Sequence, residues 1–172
     1  SRLAAGVVKP ALTATFLEEV VQRALMSIGR GATGFGIHGL DRIKMDINAD
    51  SGGSIVIADA GLLERVLANL IDNALRYAPG CTVRVNAGRV GDRVLINVID
   101  GGPGVARGDA DQLFEPFQRL GDRNNKLGVG PGLPVARGFT AAMGGTISAT
   151  DTPGGGLTVV VDLAAPTETG KI

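Results

Sequence analysis

Asn69 and Asn73 lie four residues apart in the periodic stretch LERVLANLIDNALRYA, so on a helix their side chains share one face. An amide oxygen is a hard, neutral donor. It suits a Mg²⁺ ion that is already held by phosphates and keeps several of its waters. Asp100 closes an apolar strand and is followed by Gly101-Gly102-Pro103-Gly104. A carboxylate there can accept a hydrogen bond from an exocyclic amine, while the glycines let a planar base lie against the backbone. Gly128-Val129-Gly130-Pro131-Gly132 then leads into a further helix, where backbone N–H groups and the helix dipole face anions. Each signal taken singly has an ordinary alternative: a solvated polar stripe, an Asp-initiated turn, a plain glycine turn. The glycine loop is not a P-loop, since no Lys-Ser/Thr follows it, nor does it follow a strand as a dinucleotide fingerprint does. In this order and spacing, however, the three describe a nucleotide site. Between them Phe114 and Phe117 read as hydrophobic anchors, and Arg119 as a cation within reach of a terminal phosphate.

Regular elements must hold these groups. Residues 14–28 carry Phe16, Leu17, Val20, Val21, Ala24, Leu25 and Ile28 at helical spacing, and Gly29 ends the run. Arg42–Ile47 and Ser54–Ala58 read as strands joined through the turn residues Asp50-Ser51-Gly52-Gly53. The strongest helix spans Ala60–Ala78, with Asp59 as its cap and Pro79-Gly80 as its stop. Its apolar stripe is Leu62, Leu63, Val66, Leu67, Leu70, Ile71, Ala74 and Leu75; Arg65, Asn69, Asn73 and Arg76 share the other face. Thr82–Val90 and Arg93–Ile99 form a hairpin around Gly91-Asp92. Residues 101–132 show little periodicity, and so long an irregular segment in a compact domain is usually functional. Leu133–Met143 is helical, with Pro134 tolerable in its first turn. Gly145–Thr150 and Gly156–Leu163 close the chain as a second hairpin, with a loose tail over 164–172. Strands paired as hairpins with helices between them imply one domain with an α/β fold: a two-layer sandwich of a mixed, mostly antiparallel sheet on about three helices, rather than a doubly wound sheet. Its core is expected at about 14–163.

Bulk properties narrow the classes. The 172 residues carry equal numbers of acidic and basic groups, 17 each, which gives no support to bulk nucleic-acid attraction or a polybasic membrane anchor. The 27 glycines exceed the dozen or so expected at an average usage of about 7%, and they cluster at 29–39, 101–108, 128–132 and 144–156, as loops do. Cys81 is the single cysteine, so an internal disulfide and a multi-cysteine metal site are excluded. It is read as packing at the start of a strand. His38 is the single histidine and cannot build a histidine zinc site alone. Apolar runs such as Leu157–Val161 are too short to span a bilayer, and no cationic-then-apolar secretory start is visible.

The segments Asn69-Leu-Ile-Asp-Asn73-Ala, Asp100-Gly-Gly-Pro-Gly104, Leu113-Phe-Glu-Pro-Phe117 and Gly128-Val-Gly-Pro-Gly132-Leu, in that order, resemble the N, G1, F and G2 boxes of the sensor histidine kinases. The resemblance covers about Asp59–Leu163. The longer phrases LERVLANLIDNALRYAP, EPFQRLGDRNN and AAMGGTISATDTPGGGLTVVVDL are similar to the potassium-responsive branch of that family, particularly its actinobacterial forms. The resemblance implies the ATP-binding Bergerat sandwich shared with gyrase, Hsp90 and MutL, with ATP and Mg²⁺ as ligands. It assigns Mg²⁺ to Asn69, and Asn73 and Arg76 to the phosphate side. Tyr77 is expected to pack by the adenine, Asp100 to bind its amino group, and Gly102 and Gly104 to lie against the base. Arg119 is assigned to the γ-phosphate, Gly128, Gly130, Gly132 and Leu133 to the hinge of an ATP lid over about 105–131, and Thr158 to the neighbourhood of the adenine. The implied partners are a histidine-bearing dimerisation domain of the same kinase and a cognate response regulator. The segment itself is expected to be monomeric, to make no membrane contact, and to be the cytoplasmic part of an inner-membrane sensor.

Three departures from the family pattern matter. Pro131 gives the lid hinge a fixed φ and removes one N–H donor, and Pro134 sits in the first turn of the next helix. The H box is missing, His38 lying instead in Ile-His-Gly-Leu, so the phosphoacceptor histidine and any base beside it must come from another domain. Arg65 occupies the position, four before the first asparagine, where ATP-hydrolysing relatives carry a glutamate. That favours phosphotransfer over hydrolysis, although Glu64 is adjacent. The alternatives are a gyrase-type ATPase, a non-catalytic adaptor with a degenerate nucleotide site, and a serine kinase acting on a protein partner.

Overall fold

The computed structural model describes residues 9–30, 37–78, 80–103, 114, 132–152 and 154–167. Gly104, Arg119, Gly128, Gly130, Pro131 and, apart from Phe114, the expected lid lie outside the described residues.

The described elements are β1 (Thr13–Phe16), α1 (Leu17–Arg30), β2 (Ile43–Asp46), β3 (Ile55–Ala58), α2 (Ala60–Tyr77), β4 (Val83–Val90), β5 (Arg93–Ile99), α3 (Gly132–Ala142), β6 (Thr146–Asp151) and β7 (Leu157–Ala164). The main sheet has the order β2-β4-β5-β7-β6, and β1 and β3 form a separate two-stranded sheet. β2 runs parallel to β4; every other pairing is antiparallel. This is the mixed, mostly antiparallel sheet covered by three helices that the sequence implies.

Strand alternation decides which face is covered. Val83, Val85 and Ala87 of β4, Val94, Ile96 and Val98 of β5, and Leu157, Val159, Val161 and Leu163 of β7 are buried. Against them lies the α2 stripe of Leu63, Val66, Leu67, Leu70, Ile71, Ala74 and Leu75, with Leu17, Val20, Val21 and Ala24 of α1 in the same core. Each such Leu or Val contributes about 1.5–3 kcal/mol as an upper estimate, so this one interface dominates the stability.

α2 is fixed at both ends. The Asp59 carboxylate accepts from the N–H of Leu62 at 3.1 Å and from that of Ala11 at 2.9 Å, so it caps the helix and also ties down the strand leading into α1. These bonds, Ala11 first and Leu62 second, hold its carboxyl below the ordinary value of 3.8. At the other end Arg42 Nη2 donates to the Leu75 carbonyl at 2.9 Å.

Four local expectations are corrected. Thr13–Phe16 is a strand and not the first turn of α1: it pairs with β3, and Thr15 Oγ1 donates to the Ala58 carbonyl at 3.1 Å. Phe16 fits the helical period but is 59% exposed, so it never belonged to the buried stripe. The strands β2 and β3 do not pair with each other. The Ser51 N–H and Oγ both bond to Asn48, which curls residues 49–51 into a 3₁₀ turn between strands of two different sheets. Cys81 precedes β4 and sits in a turn, its N–H on the Ala78 carbonyl and its thiol 3.5 Å from the Gly101 carbonyl. Finally, Ala164, read from sequence as tail, is the last residue of β7, and the N–H of Ala165 donates to the Asp92 carbonyl at 2.8 Å.

Candidate nucleotide site

Asp100 immediately follows β5, whose last residue Ile99 pairs with Thr158 of β7. Its N–H donates to the Leu157 carbonyl at 3.0 Å. Its side chain is buried, the residue being 4% exposed, and Oδ1 accepts from the N–H groups of Gly102 at 2.9 Å and Leu157 at 3.1 Å. Two backbone donors on one oxygen stabilise a buried carboxylate. Among the described residues both bonds go to Oδ1, and none goes to Oδ2.

Two glycines make room around this carboxylate. A Cβ on Gly102 would stand 2.7 Å from Ala78 Cβ and 3.3 Å from Asp100 Oδ1, so only glycine lets this loop close against the end of α2. Gly156 has φ +108°, and a Cβ there would fall on the Asp100 carbonyl. Gly156 and Leu157 thus back Asp100 from the start of the neighbouring strand β7, a role the box pattern does not mark. The visible signal is the run Gly154-Gly155-Gly156, all at positive φ, entering β7. Thr158 lies beside Asp100 through the strand pairing, its hydroxyl 2.8 Å from that of Thr152. Tyr77, half-buried, is the last residue of α2, next to the Ala78 that Gly102 abuts.

A second group forms where α2 meets α3. Asn69 Nδ2 donates to the Gly132 carbonyl at 3.1 Å, and Leu133, 1% exposed, enters the core. One turn on, Asn73 is half-buried. Arg76 is turned along its own helix onto Asp72 Oδ2 at 2.8 Å with its side chain 54% exposed. Arg65 lies over the ring of Phe139 of α3, 5.7 Å from its centroid. The structure therefore brings Asn69, Gly132 and Leu133 together at one junction, and Asp100, Gly102, Tyr77 and Thr158 at another, with α2 running between them. Arg76 is near neither Asp100 nor Gly132 through any bond described.

The donor chemistry fits the ligands expected. The buried carboxylate with one uncommitted oxygen suits an adenine amino group, and the neutral amide of Asn69 suits a phosphate-bound Mg²⁺. Among the described residues no cluster of His, Cys, Asp or Glu forms an all-protein metal cage, and no helix is long and apolar enough to cross a membrane.

Fold and site together define a class, and the sequence profile described as "Histidine kinase-, DNA gyrase B-, and HSP90-like ATPase" matches residues 58–167: the chain belongs to this family. More particularly, it is 72% identical over 166 residues to the sensor protein KdpD of Mycobacterium tuberculosis, an alignment covering 96% of this chain and 19% of that protein. The chain thus spans about a fifth of the length of that relative. Among solved structures, the Acinetobacter baumannii histidine kinase AdeS superposes with a TM-score of 0.72 at 23% identity, over 96% of this chain and 73% of that one. The ATP binding domain of PrrB from Mycobacterium tuberculosis gives 0.64 at 23%, over 91% of this chain and 98% of that one. At such identities the two structures establish the fold.

Proposed function

We propose that this chain is the catalytic, ATP-binding part of a KdpD-type sensor histidine kinase acting in potassium or osmotic signalling. It binds Mg·ATP and donates the γ-phosphate to a histidine on a separate dimerisation domain, from which a response regulator takes it. The observation that carries this reading is Asp100: a buried carboxylate, fixed through one oxygen by two backbone N–H groups, with Gly102 and Gly156 packed closely against it. Such a group selects a base with an exocyclic amine. The family match and the KdpD relative supply the reaction class.

The chain's own contribution is positioning and charge neutralisation. Asp100, Gly102, Tyr77 and Thr158 hold the adenine end; Asn69, Asn73, Gly132 and Leu133 define the phosphate end. Arg76, Arg119, Gly104, Gly128 and Gly130 complete the set, with 105–131 as the lid. Mg²⁺, held by Asn69 and the phosphates, supplies charge neutralisation. Arg65, paired with Phe139, puts no carboxylate where a water would need activating, which favours transfer over hydrolysis. The chain would work on the cytoplasmic side of a membrane-anchored sensor.

Titration with a fluorescent ATP analogue tests the binding half: saturable, Mg²⁺-sensitive binding lost in Asp100→Ala is expected. Incubation with γ-labelled ATP and a separately produced histidine-bearing hairpin tests the transfer. Acid-labile, base-stable label on the hairpin is the expected result; label on serine, or rapid ATP turnover by the chain alone, would overturn it.

A further inference from the structure

The asparagine assigned to Mg²⁺ is itself held by the residue that opens α3. Asn69 Nδ2 lies 3.1 Å from the Gly132 carbonyl, a contact between residues 63 positions apart. A carbonyl oxygen only accepts hydrogen bonds, so the NH₂ end of the amide must face it; the flipped amide would set two acceptors against each other. Oδ1 is thereby directed away from the Gly132 carbonyl. The fit is close on the same side: a Cβ at Gly132 would lie 3.2 Å from Asn69 Cγ, 3.3 Å from its Cβ and 3.5 Å from Oδ1. Hydrogen bonding and packing both come from Gly132 and act on one side chain.

We infer that Gly132 is a positioning residue for the metal ligand: its carbonyl selects the amide orientation that presents Asn69 Oδ1 to the cation, and its missing side chain leaves space for that orientation. The inference rests on the nucleotide reading above and adds a coupling to it. Gly132 is the first residue of α3 and directly follows residues 128–131, so the start of α3 and the orientation of the metal ligand change together. The amide is required for a reason besides ligation. A carboxylate would bind Mg²⁺ more strongly in isolation, but at position 69 it has no N–H to give Gly132.

The test separates metal-dependent from metal-independent binding. Half-saturating Mg²⁺ for binding of a fluorescent ATP analogue is measured in the wild type, Gly132→Ala and Asn69→Asp, together with binding in excess chelator. In Gly132→Ala the Mg²⁺ requirement is expected to rise about fivefold, the scale of one net hydrogen bond, a larger factor than any change in Mg²⁺-free binding. Asn69→Asp keeps an oxygen ligand but loses the donor, and it too is expected to need more Mg²⁺ despite its added negative charge. In the ligand-free ¹⁵N-labelled protein, the Asn69 side-chain NH₂ is expected to be protected from exchange in the wild type and not in Gly132→Ala, a readout independent of nucleotide. Tighter Mg²⁺ use by Asn69→Asp overturns the inference, as does an unchanged Mg²⁺ requirement in a folded Gly132→Ala. Nucleotide binding that is indifferent to Mg²⁺ in the wild type overturns the metal reading of Asn69, and the inference with it.

Discussion

Replacing Asp100 with asparagine tests the chemistry of the proposed base site, because the side chain keeps its shape while one acceptor, with the negative charge, is exchanged for a donor. Oδ1 of Asp100 receives N–H groups from Gly102 at 2.9 Å and Leu157 at 3.1 Å. In Asp100→Asn the amide oxygen must take that place, since an NH₂ there would oppose two donors. The NH₂ is then forced to the Oδ2 position, where in the proposed binding mode it would face the adenine amino group, donor against donor. The loss comprises one charge-assisted hydrogen bond and a buried unsatisfied donor, together about 2–3 kcal/mol, or about 30–150-fold in affinity. Stability should change far less, by about 1 kcal/mol, because both backbone N–H groups keep a neutral acceptor.

The same geometry predicts a change of preference. Inosine triphosphate carries a carbonyl where ATP carries the amine, and the relocated NH₂ can donate to it. Calorimetric titration of wild type and Asp100→Asn with both nucleotides should show ATP weakened in the variant and inosine triphosphate weakened much less or improved. A folded Asp100→Asn that binds ATP within about threefold of wild type would refute the assignment of Oδ2 to the base. So would equal weakening of both nucleotides, since the effect would then be one of general distortion.

Gly156→Ala must accommodate a residue at φ +108° with its Cβ on the Asp100 carbonyl. Backbone strain and overpacking of about 1–3 kcal/mol each should lower the melting temperature by at least about 5 °C; an unchanged melt would show that the β6–β7 turn does not buttress Asp100. Asp59→Ala removes the α2 cap and the Ala11 tether and is expected to cost about 1 kcal/mol at pH 7 in urea unfolding. Because the folded-state value of Asp59 lies below the unfolded 3.8, its stabilisation is complete above about pH 4 and is lost as pH falls through the folded value. The gap between wild type and variant should therefore narrow below pH 4, and a gap constant down to the acid transition would contradict the assignment. For Arg65 and Phe139, a double-mutant cycle to alanine should return a coupling of about 0.5–1 kcal/mol at this exposed site; zero coupling would mean that the contact does not help fix α3 on α2.

What could be read from the sequence and what could not divide along a physical line. The limits of α2 were legible because its signals are local: Asp59 bonds to Leu62 three residues on, and the stripe from Leu63 to Leu75 repeats within the helix itself. Asp100 stood out only in combination: taken singly an Asp-begun turn after a strand is ordinary, and its place between the asparagine pair and the glycine loop is what marked it. Thr13–Phe16 was misread because its strand character is conferred by β3, through a bond from Thr15 to a carbonyl 43 positions away. The parallel pairing of β2 with β4 had no local signature either. The groups that aim the candidate ligands were the hardest to see: the Leu157 N–H and the Gly132 carbonyl are backbone atoms, 57 and 63 positions from the side chains they orient. Side-chain identity reveals which groups bear chemistry, whereas a backbone atom belongs to every residue and acquires a role only through where the fold puts it. If the proposed roles hold, Asn69 and Asp100 can be retained in a relative while their surroundings change, because a side chain at residue 132 would press on Asn69 and one at residue 156 on the Asp100 carbonyl. Both glycines therefore belong in any judgement of whether a chain of this family still binds its nucleotide.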